Sequence, residues 1–420
     1  MKNYRGKVYM HNNTSIPSID DSTFFDLANP KMIGNKNKAS IIRLVRAKGP
    51  ISRADIARQL NLSPPAVSNN INALLEAGII KEVGTYDSSV GRKPVLLCFN
   101  STFGYVLGID IGEYKIHCGV ANLDGDIIDF NEVPTMANEG GESVLNRVHN
   151  VILSMLERNK INNDKILAAG IGSPGIKNVN TGTNILAPFI KSWDQINLKN
   201  RMEEKFKFPF IVENDVDMSI IGEYWKGAGR NYENMAYIKL GDGVAARFIL
   251  NGRLYRGVNF AAGEIGFMLP DKELIQDKFC EQGALERLIC NDAIANTYKN
   301  KYEQLKGQKF PDEDISISDV LKRWEKGDDI ANSIVEDIKI YLGIALINII
   351  SILNPEVIIL GGQLSDVPQK FIVSLKDMLS KHVLFIPEII PAQLGNNAGV
   401  IGAIAVALAK AEKLLSSFWE

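Results

Sequence analysis

Two segments of this 420-residue chain open in the same way. Tyr105–Ile111 is an apolar run that turns near Gly112, continues as an apolar run over residues 118–123, and turns at Asp124 and Gly125 into residues 127–130. Met235–Leu240 turns at Gly241, Asp242 and Gly243, continues over residues 246–250, and turns at Asn251 and Gly252. Short apolar runs joined by glycine-bearing turns read as hairpins. After the first hairpins come a helical pattern over Gly141–Arg158 and a buried strand over residues 166–171, ending in Gly172, Ser173, Pro174 and Gly175. A β-β-β-α-β-α order used twice predicts a duplicated α/β body with a cleft between two lobes. With 45% hydrophobic and 23% charged residues, disorder or coiled coil is excluded as a description of the whole chain.

The segment ahead of that body is of another kind. Residues 31–97 carry eleven cations and four acids, a net +7, whereas the whole chain is at -2 and residues 98–420 hold -9. A basic head on an acidic body suggests that the head alone meets a polyanion. Residues 1–35 are polar and aperiodic and read as a flexible N-terminal arm, with one short helical turn near residues 24–27. Three helical signals follow. Ile41, Ile42, Leu44 and Val45 form an apolar stripe that stops at Gly49 and Pro50. Ser52 is placed to cap a second helix, with Asp55 in the reciprocal position, and Ser63 caps a third whose first residue is Pro64. Val67, Ile71, Leu74 and Leu75 supply the third helix with a buried face, and two strands separated by a polar tip come next. This order predicts a winged helix-turn-helix over residues 36–100. Pro65, Ser68, Asn69 and Asn72 fall off the buried stripe and are candidates to meet base edges, with Ser63 and Arg53 beside them. Arg92 and Lys93 put two cations on the wing tip, stiffened by Pro94, as candidates for a phosphate row or minor groove.

Cys98, Cys118, Cys280 and Cys290 show no metal-type or redox-type spacing, which fits a cytoplasmic chain. The start of the sequence has no apolar signal region, and its most apolar stretch, residues 340–353, is broken by Asn348 and Ser351, so neither export nor membrane insertion is expected. His117 reads as a satisfied core histidine, and His11, His149 and His382 have no clustered partners.

Ile51, Ser52, Arg53, Ala54 and Asp55, then Leu62, Ser63, Pro64 and Pro65, and Gly91 to Pro94 make up a characteristic head. In the body stand Val212 to Asp215, Asn251 to Gly257, Ala262 to Gly266, and Leu360 to Gly362. With them the chain resembles the ROK family (repressors, open reading frames and sugar kinases), in particular its DNA-binding members such as xylose and N-acetylglucosamine repressors. The resemblance implies a two-lobed actin-like sugar-kinase body over residues 101–420, with lobe 1 at about 101–215 plus 398–420 and lobe 2 at about 216–397. It also implies sugar contacts at Asn214, Asp215, Glu264 and Glu286, with Asp215 the general base in the kinases. Asn214 and Asp215 are equally placed to cap the following helix. Ser173, Pro174 and Gly175 are placed to wall the pocket or simply to turn the chain.

Departures from the family pattern weigh against catalysis. Glu113 and Tyr114 replace glycine and threonine in the first phosphate hairpin, and Gly241 to Ala245 replace G-T-G-x-G in the second, which leaves Glu113 and Asp242 where phosphate oxygens would sit. At ~4 Å and an effective dielectric of ~20, one such repulsion is ~4 kcal/mol. Phe267, Asp277, Phe279 and Ala284 stand in the register of the family's zinc ligands, so no zinc and no other cofactor is expected, with Phe267 and Phe279 packing to hold the loop instead. Arg247, near the altered second hairpin, reads as a surface arginine, with contact to an anionic effector as the alternative. The reading as a whole is a sugar-responsive repressor that binds operator DNA as a homodimer or homotetramer and is not an enzyme. The alternative is a sugar kinase with a DNA-binding head.

Overall fold

Helix α1 (Pro30–Lys48) opens the part of the chain described by the computed structural model, which comprises residues 30–85, 94–177, 184–185, 189–279, 282–311 and 314–417. The turn expected near residues 24–27, the wing-tip pair Arg92 and Lys93, and Cys280 lie outside the described residues. α1 begins inside the segment expected to be an arm. It leads through β1 (Ile51–Ser52) to α2 (Arg53–Leu60), α3 (Pro64–Glu76), β2 (Ile80–Thr85) and β3 (Val95–Phe99). Ser52 Oγ accepts the Asp55 amide at 3.2 Å and donates to the Asp55 carboxylate at 2.7 Å, so the cap closes through the two side chains. Ser63 Oγ accepts the Ala66 amide at 3.4 Å, with Pro64 at the first helical position. Between the two helices Asn61 adopts φ 51°, the left-handed conformation that asparagine tolerates in a tight turn. The wing has three strands in the order β1-β3-β2 rather than the two expected. Ile51 and Ser52 pair with Leu97 and Leu96, but two residues are too few for a period to register in the sequence.

Lobe 1 is built on β4 (Tyr105–Ile111), β5 (Lys115–Asn122), β6 (Ile127–Pro134), α4 (Gly141–Arg158), β7 (Ile166–Ser173), the short pair β8 (Ile176–Lys177) and β9 (Asn184–Ile185), α5 (Leu198–Phe206) and β10 (Phe210–Asn214). Helix α6 (Asp215–Lys226) follows. Lobe 2 contains β11 (Met235–Leu240), β12 (Val244–Leu250), β13 (Arg253–Tyr255), α7 (Glu286–Ile289), α8 (Asn291–Lys306), α9 (Ile317–Glu325), α10 (Asp329–Leu353), β14 (Val357–Gly362), α11 (Gln369–Leu379) and β15 (Glu388–Pro391), and α12 (Ala398–Ser417) ends the described chain. The sheets run β10-β7-β4-β5-β6 and β13-β12-β11-β14-β15. In each, the lobe's first strand pairs antiparallel with its hairpin partner on one side and parallel with a later strand on the other, β5 and β7 for β4, β12 and β14 for β11. That shared arrangement is the duplication seen in the sequence. β5 starts three residues earlier than its apolar run because the turn is tight, with the Gly112 amide donating to the Lys115 carbonyl at 3.0 Å. β12 likewise starts at Val244, and β7 runs on to Ser173.

Two helices lie between the sheets. α12 packs on β4 so closely that a Cβ on Gly108 would stand 2.5 Å from the Val400 carbonyl oxygen. α6 lays Val216, Ile220 and Tyr224 against Tyr237, Ile249 and Ile359 of lobe 2. The two helices meet backbone to backbone, since a Cβ on Gly402 would fall 1.8 Å from the Met218 carbonyl oxygen. At its far end α12 carries the head: Ile41, Ile42 and Val45 of α1 share one core with Leu408, Ala411 and Leu415. Glu412 pairs with Arg43 at 3.2 Å and with Arg46 at 3.8 Å. Among the described residues no helix is long and apolar enough to cross a membrane.

Candidate functional site

The C-terminal ends of β4, β10 and β11 converge on a cavity of about 150 Å³ between the lobes, the position at which α/β sheets place their ligands. All four residues assigned to a sugar, Asn214, Asp215, Glu264 and Glu286, line it, as do Pro174 and Gly175. Asn214 ends β10 and caps α6: its Oδ1 accepts the amides of Val216 at 2.9 Å and Asp217 at 3.4 Å, while its Nδ2 donates to the Gly175 carbonyl at 3.0 Å. Capping and lining the cavity therefore coexist in one side chain. Glu286 opens α7, accepts the Val244 amide at 3.1 Å, and has its carboxyl pushed above the usual range by burial.

Two cations that sequence reasoning left aside organise this end of the cleft. Lys239, next to the last residue of β11, places its ammonium 2.5 Å from Asp215 Oδ2. Burial works against the lysine's charge, but Asp215 and Asp110 outweigh it and hold the group protonated. Asp110, at the end of β4, is raised to about 7 by burial and by the charge of Asp215, with Lys239 pulling the other way. Arg247 on β12 is no surface arginine, being only 2% exposed. Its Nε donates to Asp217 at 2.7 Å and its Nη2 to Glu264 at 2.7 Å and to Asn214 Oδ1 at 3.1 Å. Asp217 and Lys239 carry no assignment in the sequence reading, and Arg247 is placed by it at the surface. The available signal was a lone cation inside an apolar strand, in Met235–Leu240 and again in Val244–Leu250. Charges set into apolar strands need partners.

The phosphate end differs from expectation in one respect. Glu113 and Asp242 both line the cavity, but burial and the neighbouring Asp242 push Glu113 up to about 8. At neutral pH Glu113 is thus held largely protonated, which weakens the repulsion expected from this end. Tyr114 reaches over the same gap, its hydroxyl 3.5 Å from Asp242 Oδ1. A carboxyl whose folded pKa lies above its ordinary value contributes stability that is complete at low pH and is lost as pH rises toward the folded pKa. Thermal unfolding is therefore expected to fall in midpoint between about pH 4.5 and 8, and Glu113→Gln is expected to flatten that slope. An unchanged slope in the variant would show that Glu113 does not carry it.

Phe267 does not pack away to hold the loop; it is 37% exposed and lines the cavity, while Phe279 lies with the Arg287 guanidinium 5.0 Å from its ring centroid. Among the described residues no group of three or more His, Cys, Asp or Glu is placed to hold a metal ion. His117 is less satisfied than expected: its Nε2 is 3.6 Å from Glu132 and its ring stacks on Phe130, yet buried Nδ1 has no partner, and burial lowers its pKa.

On the head, Ser63, Pro65, Asn69 and Asn72 are exposed and Ser68 is half-buried, along one face of α3. Arg53 joins them, its Nη1 donating to Asn72 Oδ1 at 2.8 Å and its other terminal nitrogen 3.8 Å from Glu82. Arg92 and Lys93 cannot be placed relative to this face, since both lie outside the described residues.

A winged helix-turn-helix seated on a two-lobed, kinase-type body with an interlobe cleft is the architecture of a regulator with separate DNA-reading and ligand-holding parts. The comparisons agree: residues 106–410 match the ROK family and residues 35–81 match winged helix-turn-helix DNA-binding domains, so the chain belongs to the ROK family. It is 26% identical over 390 residues to the xylose repressor of Bacillus subtilis (strain 168), covering 91% of this chain and 97% of that protein. It is 32% identical over 310 residues to the glucokinase of Halalkalibacterium halodurans, covering 71% of this chain and 93% of that one. The crystal structure of a ROK family transcriptional regulator, a homologue of the E. coli MLC protein, superposes with a TM-score of 0.74 at 22% identity, over 92% of this chain and 99% of that chain, and so shares the fold.

Proposed function

We propose that this protein is a sugar-responsive transcriptional repressor: α3 and the wing read operator DNA, and a monosaccharide such as xylose, held in the interlobe cleft, sets the affinity. The observation that carries the reading is the Lys239 ammonium 2.5 Å from Asp215. In a sugar kinase the aspartate must be open to take a proton from a hydroxyl; here it is already paired, which suits holding a ligand and not activating one. At the phosphate end Glu113, although held protonated near neutral pH, and Asp242 still put two carboxyl side chains where a nucleotide's phosphates would lie, which acts in the same direction. The cleft therefore senses without catalysing and needs no cofactor or metal. To release DNA tenfold, the sugar has to prefer one lobe arrangement by only ~1.4 kcal/mol.

Readers of this type contact two half-sites, so the working unit is a homodimer or a homotetramer of such dimers, acting in the cytoplasm where the operator lies. The relatives include both repressors and a glucokinase, which keeps one competing reading in play, a kinase with a DNA-binding head. The test selects genomic fragments bound by the full chain and elutes them with individual sugars, alongside a coupled assay for ATP-dependent phosphorylation. Elution by a neutral monosaccharide without turnover is expected. Turnover above background would favour the kinase, and fragments that no sugar releases would remove the effector. Asp215→Asn is expected to weaken the sugar response at least tenfold with operator affinity unchanged, measured by anisotropy with and without sugar. An equal fall in sugar-free DNA binding would mean that Asp215 serves the fold.

A further inference from the structure

Arg247 sits at an inward position of an apolar strand and commits four of its N–H donor directions, two of them to groups that line the cleft. Nε donates to Asp217 at 2.7 Å, Nη1 to the Ala246 carbonyl at 2.7 Å, and Nη2 to Asn214 at 3.1 Å and Glu264 at 2.7 Å. A guanidinium presents its donors in a rigid planar fork, so it cannot shift for a ligand without giving up several of these bonds together. It therefore fixes one wall of the cavity. It also takes acceptor capacity from Asn214 and Glu264, two of the groups assigned to a sugar. What stays accessible is modest: 34% of the Lys239 side chain, 24% of Glu264 and 14% of Asp215. The space left beside these groups, about 150 Å³ in a cleft that stays open to solvent between the lobes, is enough for one sugar ring at its inner end.

We infer that Arg247 is the specificity-determining residue of the cleft: by fixing its wall and engaging Asn214 and Glu264 it favours a small sugar ring over rings bearing larger arms. This rests on the effector reading above and deepens it. The experiment titrates the full chain calorimetrically with D-xylose, D-glucose and N-acetyl-D-glucosamine, a series in which first a hydroxymethyl and then an acetamido group is added. For the unaltered protein, affinity is expected to fall along the series, at least tenfold from xylose to glucose. Arg247→Ala is expected to compress that ratio to below threefold by strengthening the larger sugars. Because the single variant leaves Asp217 buried and without its Arg247 partner, Arg247→Ala combined with Asp217→Asn is measured beside it, with a cooperative thermal unfolding transition as the check of folding. Arg247→Lys keeps the charge but not the fork and is expected to fall between. If the folded double variant loses affinity for all three sugars in parallel, Arg247 merely braces the fold and the inference is overturned. The same holds if the unaltered protein binds the largest sugar best. An unaltered protein that binds none of the three would bring down the effector reading itself, and Arg247's role with it.

Discussion

Asn69→Asp is expected to lower operator affinity at least a hundredfold while leaving sugar binding in the cleft intact. Asn69 is exposed on α3 beside Pro65 and Asn72, on the face opposite Val67, Ile71 and Leu74 of the head core. An asparagine amide can both donate to and accept from a base edge, and such a bidentate contact is worth ~1–3 kcal/mol of discrimination. The carboxylate removes the donor and adds repulsion from the phosphates, so a combined loss of ~3 kcal/mol, about two decades, follows. Asn69→Ala keeps neutrality and is expected to shift the preferred sequence with a smaller loss of affinity. Anisotropy titration on a selected operator measures the first effect and repeated selection the second. Were Asn69→Asp to bind within threefold of the original, α3 would not be the reading element.

Gly402→Ala is expected to cost about 3 kcal/mol of stability, the top of the ~1–3 kcal/mol range for overpacking a filled interior. The added methyl would be 1.8 Å from the Met218 carbonyl oxygen, and both groups are helix backbone, so neither can turn aside. Gly343→Ala in α10 is the informative contrast. Its methyl would be 2.0 Å from the Met378 terminal carbon, but that is the end of a flexible side chain, and a cost below about 1 kcal/mol is expected. Urea unfolding of the two variants distinguishes them. Similar midpoints would mean that α6 and α12 are free to slide apart.

The parts of this molecule legible in its sequence are those whose cause is local. Ser63 followed by Pro64 marks the start of α3 because capping needs only a hydroxyl three residues from an amide, and the glycine turns mark the hairpins for a similar reason. The four sugar-side residues came from resemblance and do converge on one cavity. Arg247 and Lys239 were missed because their meaning lies in partners distant along the chain: Asp217 is 30 residues from Arg247, and Asp215 is 24 from Lys239. A strand pattern records that a position faces inward, not what stands opposite. The charge on Glu113 was misjudged for the same reason, since its proton is held by burial and by Asp242 across the gap, neither of which spacing conveys.

The α6–α12 contact has a mechanical consequence. α12 is 20 residues long, about 30 Å, and runs from beside Asp110 to the Glu412 and Leu415 region on which α1 rests. Two helices in backbone contact behave as a stiff lever with a fixed fulcrum, so a rotation of a few degrees at the Asn214 end swings the far tip by an ångström or more. α1 rests on that tip and α3 packs on α1, so under the proposed reading the aim of α3 toward a half-site follows how wide the jaws stand at the other end.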